Sequence, residues 1–396
     1  MAVNDLTFNQ LATVLASITA QATGQAAITP VNYSQFVSMA QTALKTGYDP
    51  LTTAISQVLG KTIFSVRPYT AKFRSLRVSN QQFGNHERKL TAIDKDFEED
   101  NRFKLTEGES IDQQIVRKPE VLQTNYYGAN VVEKAVTIYK DQLDCAFTSP
   151  EEFGRFISMI MQNVSDMLEQ EAENTARATL ANLIIATVKH GATEQVVHLF
   201  TEWKTARGLT SESTLTAWTA LSPAQFDDFI KWSYARISTV ANMMTERGTL
   251  YHQNVTGKAV MRHTPFANMK AFFAASINNQ IRTEVLSAVF NKEDMAMVEF
   301  EAVNYWQASK DPLTIKGKSV YLKPADGTVA SDTSDQTVGN VFGIIMDEEA
   351  AGITHLNEWT ASAPFNARGG YTNTFWHRTD RFWNDQTENA VVFLLD

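Results

Sequence analysis

Seven histidines, one cysteine and a run of carboxylates are the side chains from which a reactive or metal centre could be built. The nearest histidines, His190 and His198, are eight residues apart and fall across a helix end, where ordinary helix-end histidines are the simpler expectation than metal ligands. Asp94, Asp96, Glu98, Glu99 and Asp100 form an acidic run such as Ca²⁺ uses, yet it lacks the spaced ligands and central glycine of an EF-hand loop. A solvated or partner-facing acidic arm is the expectation. Cys145, the sole cysteine, excludes an intrachain disulfide framework and a cysteine-based zinc cluster, and is expected as a small buried apolar side chain. Phe375, Trp376, Phe382 and Trp383 could stack bases, but only His377, Arg378 and Arg381 accompany them, so packing in a sheet or an interface is expected. No Walker loop, dinucleotide glycine fingerprint, G-x-S-x-G elbow or His-Glu-x-x-His appears. No catalytic residue, cofactor or metal is expected, and the chain does not read as an enzyme.

The strongest chemical signal is segregated charge. Residues 67–89 carry Arg67, Lys72, Arg74, Arg77, Arg88 and Lys89 against a single acid, Glu87, whereas residues 94–112 hold eight acids against three bases. No helical period runs through this stretch. A ribbon with one basic and one acidic arm can pair with itself as a hairpin, or lie across neighbouring copies and use its charges for register. Arg67, Arg74, Arg77, Arg88, Asp96, Glu98, Glu99 and Asp100 are therefore candidate inter-subunit contacts. The alternative is a solvated loop whose exposed ion pairs contribute only ~0–1 kcal/mol each. A formal charge of −9 over 396 residues argues against general electrostatic capture of nucleic acid.

Several elements must position such a ribbon. Three short helices are expected in the first sixty residues, stopping near Gly24, at Gly47 and at Gly60, with Asp49 and Pro50 starting the third. Val136 to Tyr139 reads as a strand. Ser149, Pro150, Glu151 and Glu152 then form a helix start, and one apolar face runs from Phe153 to a stop at Lys189, His190 and Gly191. Forty residues at ~1.5 Å each make a rod of ~60 Å, against a diameter near ~55 Å for a compact chain of this length. An elongated subunit suited to assembly follows. A further helix is expected from Ser222 to Gly248, and another from Thr264 and Pro265 carrying Met269, Phe272 and Phe273. Strands and turns fill Phe290 to Met346, with a turn at Asp326 and Gly327 and a mobile surface loop at 331–337. At 43% hydrophobic residues the chain can fill a core, and no run approaches the ~20 apolar residues of a membrane span.

The stretches "SPEEFGRFISMIMQNV" (149–164), "FGIIMDEEAAGI" (342–353) and "PFNARGGYTNTFWHRTDRFWNDQTENAVVFLLD" (364–396) resemble the major capsid proteins of tailed bacteriophages with the Hong Kong 97-type fold. The resemblance covers essentially the whole chain through its texture and its order of parts. It implies an α+β fold with an N-terminal arm (1–65), an extended loop over a neighbouring subunit (66–130), and a peripheral domain with a spine helix at about 149–190 (131–215). It further implies an axial domain (216–365) and a return to the peripheral domain ending in a C-terminal strand (366–396). The function implied is a structural protein that self-assembles into hexamers and pentamers of an icosahedral head enclosing double-stranded DNA. Portal and scaffolding or decoration proteins would be partners, with no sequence-specific DNA binding and no membrane. The location implied is the virion, after assembly in the host cytoplasm. Relatives often lose an N-terminal scaffolding segment, but with about 65 residues ahead of the loop no maturation cleavage is expected here. Lys89, Lys95, Lys104 and Lys118 with Asn366, Asn373, Asn384 and Asn389 supply the residue types for crosslinking, without identifying a pair. The rival readings are an encapsulin-like compartment shell and, from a different class, a cytosolic enzyme with an unrecognised site in 216–365.

Overall fold

A computed structural model of the chain describes residues 7–61, 71–78, 86–93, 100, 103–111, 114, 116, 118, 120 and 121–396, apart from 128, 213–214, 257–259 and 276–299. Three helices open it: α1 (Phe8–Thr23), α2 (Tyr33–Lys45) and α3 (Tyr48–Lys61). Gly24 closes α1 at φ 69°, the left-handed stop its sequence position implies. α3 departs from expectation at both ends. It starts one residue before Asp49, whose carboxylate takes the Phe365 N–H instead, and it continues through Gly60. Leu51, Ala54, Ile55 and Val58 bury one face of α3 among the residues of α1, and that packing outweighs the ~1 kcal/mol cost of an interior glycine.

The edge strand β1 (Arg77–Val78) precedes a hairpin of β2 (His86–Ala92) and β3 (Val121–Tyr127), paired antiparallel from His86↔Tyr127 to Ala92↔Val121. β4 (Asn130–Tyr139) and α4 (Lys140–Ala146) then lead to α5 (Pro150–His190). Ser149 Oγ accepts the Glu152 N–H at 3.2 Å, Pro150 occupies the first turn, and Lys189 and His190 sit at the negative end of the dipole. Its 41 residues make a rod of ~60 Å. The N-terminal half, Phe153, Ile157 and Ile160, shares a core with α1–α3. The C-terminal half, Leu180, Leu183 and Ile184, belongs to a second core with Ile344 and Val392.

Beyond α5 come β5 (Val196–His198), α6 (Leu199–Ala206), α7 (Pro223–Thr245), β6 (Met269–Ala274) and β7 (Phe300–Val303). The short strands β8 (Ile315–Gly317), β9 (Val320–Leu322), β10 (Val329–Ser331) and β11 (Gln336–Val338) pair as β8 with β11 and β9 with β10. The long strands β12 (Val341–Asp347), β13 (Ala351–Ser362), β14 (Tyr371–Asn384) and β15 (Ala390–Leu394) complete the chain. β6 replaces the helix expected after Pro265. Every β6 residue but Lys270 is buried, and a continuous apolar run has no period to separate a central strand from a helix. Pro265 serves only a single 3₁₀ turn, Phe266–Asn268.

Two sheets organise these strands, in the orders β1-β13-β14-β4 and β5-β15-β12-β6-β7. The second is covered on both faces: Phe342, Ile345 and Phe393 meet α6 and α7, while Ile344, Met346 and Val392 meet α5. A bulge between Val341 and Gly343 turns residues 342 and 343 to the same face, so position 343 has no room for a side chain; a Cβ there would lie 2.1 Å from the Phe273 ring. The segment 331–337, expected to be mobile, is pinned by Asp332, which accepts the Ser319 N–H at 2.9 Å and meets His190 Nε2 at 2.9 Å. Cys145, expected buried, is exposed, on the solvent side of the seven-residue α4. Among the described residues no helix is long and apolar enough to cross a membrane.

Candidate assembly surface

Two clusters of charge tie the ribbon of residues 71–127 to the rest of the chain. The first lies on α5, where Glu169 and Glu173, one turn apart, face the segment entering β1. Glu169 accepts the Arg77 guanidinium through both oxygens at 3.2 and 3.0 Å and the Ala71 N–H at 3.3 Å. Arg74 stands 3.9 Å from the same carboxylate. Burial acts to raise the Glu169 pKa, but Arg77 beside it prevails and holds it below the ordinary 4.5. Glu173 accepts the Lys72 N–H at 3.0 Å and pairs with Arg177, which also lies over the Phe73 and Tyr305 rings. Glu301 takes the Phe73 N–H at 2.5 Å. Phe73 needs these partners because it is a non-glycine residue at φ 62°.

The second cluster seats the hairpin. Lys89 of β2 places Nζ 2.8 Å from Glu349 Oε2 and 3.2 Å from Asp385 Oδ2, and also bonds Glu388. Tyr126 of β3 donates to the same Asp385 Oδ2 at 2.7 Å, while Asp385 Oδ1 accepts the N–H and hydroxyl of Thr387. Arg262 bridges Glu388 at 2.8 Å to Thr91 Oγ1 of β2 at 3.3 Å. Beneath Tyr126 lies Trp383, its ring resting on Gly352, where a Cβ would come within 2.3 Å. Burial alone would lower the Lys89 pKa, but Asp385 and Glu388 raise it above the ordinary 10.5. Burial likewise opposes ionised Asp385, yet Lys89, Thr387 and Tyr126 hold its pKa below 3.8. Glu388 has fewer donors and an acidic neighbour, so burial prevails over Lys89 and Arg262 and its pKa rises above 4.5.

The candidate contacts taken from sequence are distributed unevenly over this surface. Arg74 and Arg77 come together at Glu169 of their own chain; Arg88 is exposed on β2 opposite Asn125, and Asp100 is exposed. Arg67, Asp96, Glu98 and Glu99 lie outside the described residues. The carboxylates that seat the ribbon, Glu169, Glu173, Glu349, Asp385 and Glu388, were missed. Only the run "NDQTEN", polar yet flanked by strands, hinted at the last two. His190 stacks on Tyr321 at 3.5 Å and His198 bonds Asp396, so the two histidines serve separate contacts. Among the described residues no three His, Cys, Asp or Glu side chains are grouped to hold a metal. The aromatic ribbon divides: Trp376 joins the core with Phe153, Trp383 supports the hairpin and Phe382 is exposed.

The model of the Phi29-like phage major capsid protein family matches residues 15–394. The chain belongs to that family. It is thus a structural shell protein of a phage head and a component of the virion. A chain in the capsid structure of Staphylococcus phage Andhra is 9% identical and superposes with a TM-score of 0.53, over 85% of this capsid protein and 87% of that chain. A chain in the structure of head fiber and inner core protein gp22 of native bacteriophage P68 is 10% identical, with a TM-score of 0.51 over 85% and 87%. These likenesses show the fold, which is the α+β Hong Kong 97-type expected from the sequence. No curated protein sequence matches the capsid protein.

Proposed function

We propose that this capsid protein forms the hexamers and pentamers of an icosahedral head enclosing double-stranded DNA, and that its β2–β3 ribbon lies over a neighbouring subunit. Residues 1–65 act as the N-terminal arm, 66–130 as the extended loop, 131–215 as the peripheral domain and 216–365 as the axial domain, with 366–396 returning to the peripheral domain. The observation that carries this reading is apolar surface on the ribbon: Leu90, Phe103, Val116, Val121 and Tyr127 are all more than half exposed. A two-stranded ribbon with that surface is marginal alone and gains from a second face to lie against. Arg74, Arg88 and Asp100 are the described charges that can set register there, alongside Arg67, Asp96, Glu98 and Glu99. Arg77 contributes through the pose of β1. A net charge of −9 suits a container that holds DNA without adhering to it. Assembly in the host cytoplasm, with portal and scaffolding or decoration partners, accords with this role.

The test removes the ribbon's tip. Ile93 N–H bonds Glu120 O at 3.0 Å, so residues 94–119 can be replaced by a short turn without separating β2 from β3. The shortened chain is expected to fold, by circular dichroism and size-exclusion chromatography, yet to form no closed shells by negative-stain microscopy. Closed shells at the parent yield would rule out the ribbon's role between subunits.

A further inference from the structure

We infer that Asp385 is the positioning residue of the hairpin: one buried carboxylate oxygen on which both strands converge, setting the pose that shell building uses. The inference rests on the ribbon's proposed role between subunits. Lys89 and Tyr126 are diagonal neighbours on the same face of the hairpin, since Lys89 pairs with Thr124 and Tyr126 with Glu87. Both reach Asp385 Oδ2, at 3.2 and 2.7 Å. A contact to one strand would leave the hairpin free to rotate about it, whereas contacts from both strands fix its roll and its height. Asp385 cannot follow a moving hairpin. Its other oxygen is held by Thr387, its own N–H donates to Ala350 O at 2.7 Å, and its side chain is 2% exposed.

The remaining groups around Lys89 play lesser parts. Glu349 is 62% exposed, so water competes for it. Glu388 is shared between Lys89 and Arg262, and Arg262 reaches the hairpin through the Thr91 hydroxyl at 3.3 Å. When Lys89 leaves, Asp385 becomes a buried carboxylate without its cation, a state the fold strongly disfavours. Release of the hairpin is thereby opposed from the body side as well as from the hairpin side.

The test is amide hydrogen exchange on the unassembled full chain, read separately for β2–β3 and for the buried strands β12 and β15, beside microscopy of shells. Lys89→Met keeps the apolar stem and removes the charge. It is expected to speed exchange in β2–β3 about ten-fold, with more in the double variant Lys89→Met/Tyr126→Phe, and β12 and β15 unchanged; closed shells are lost in both. Lys89→Arg is expected to restore protection and shells. Glu388→Gln, which weakens one of the lesser contacts of Lys89, is expected to speed exchange in β2–β3 by less than Lys89→Met does; an effect as large as that of Lys89→Met would overturn Asp385 as the residue that positions the hairpin. If the double variant exchanges like the parent, the inference is overturned, even where the tip-shortened chain fails to assemble. If the hairpin is released and closed shells still form, the link from this seat to assembly is overturned. Shells built by the tip-shortened chain would instead remove the ribbon's own role.

Discussion

On α5, Glu169 holds Arg77 through two charge-assisted hydrogen bonds, while Arg74, with 59% of its side chain exposed, only approaches the same carboxylate. The sequence makes both arginines candidate inter-subunit contacts. The geometry separates them. Arg77→Glu brings a second carboxylate against Glu169 and is expected to cost ~2 kcal/mol of stability in urea unfolding, following the ~1.5–3 kcal/mol of hydrogen bonds to charged groups. Arg74→Glu alone is expected to leave stability nearly unchanged and to lower shell yield, so it is the cleaner probe of a neighbour.

The acid response is set by the same side chains. Glu169 and Asp385 have folded pKa values below their ordinary 4.5 and 3.8, so their stabilisation is complete above those values and is lost as pH falls through the depressed ones. Glu388 is raised, so its protonation favours the folded state and partly offsets that loss as pH falls toward 4.5. Lys89 is raised above 10.5, and its contribution is complete below that value and lost as pH rises through the folded one. Urea midpoints are expected to change little between these limits, to fall below pH ~4 as carboxylates protonate and to fall again above pH ~10.5 as Lys89 loses its proton. A midpoint that rose steadily into acid would contradict the assignment.

At the scale of elements, the local signals that proved readable carried their own chemistry. The Ser149-Pro150 start of α5 rests on a side-chain oxygen, a fixed φ and a dipole, all within four residues. Ser149→Ala is therefore expected to cost ~1 kcal/mol in chemical unfolding. β6 was misread because its side chains are buried on both faces, which erases periodicity. Gly343 and Gly352 were unreadable for a related reason, as each is required by a ring from a distant segment, Phe273 and Trp383. Gly352→Ala is expected to destabilise by ~1–3 kcal/mol, the usual cost of overpacking, and to speed exchange in β2–β3 because Trp383 supports Tyr126. A thermal midpoint equal to the parent's would show that the ring can move aside.

At the scale of the molecule, the length of α5 sets the dimensions of the subunit. The ~60 Å helix α5 runs through two cores, and an extended subunit of that kind offers surface for repeated contacts between copies. Purified capsid protein is expected to elute well ahead of a 44 kDa globule, and negative staining is expected to show shells or capsomers. A compact monomer in both measurements would count against the proposed assembly.

The sequence alone determined the helices of the first sixty residues, the long spine, the charged ribbon and the family texture. Each depends on residues close together in the chain, through capping, periodicity and local charge. Only the tertiary structure decided where the ribbon is seated. Lys89 and Asp385 are separated by almost three hundred residues, and nothing in an exposed-looking lysine or a polar "NDQTEN" run announces the other. Their meeting depends on how β14, running antiparallel to β4, carries residues 384–389 to the base of the hairpin. A buried carboxylate needs a cation, but which cation arrives is fixed by topology.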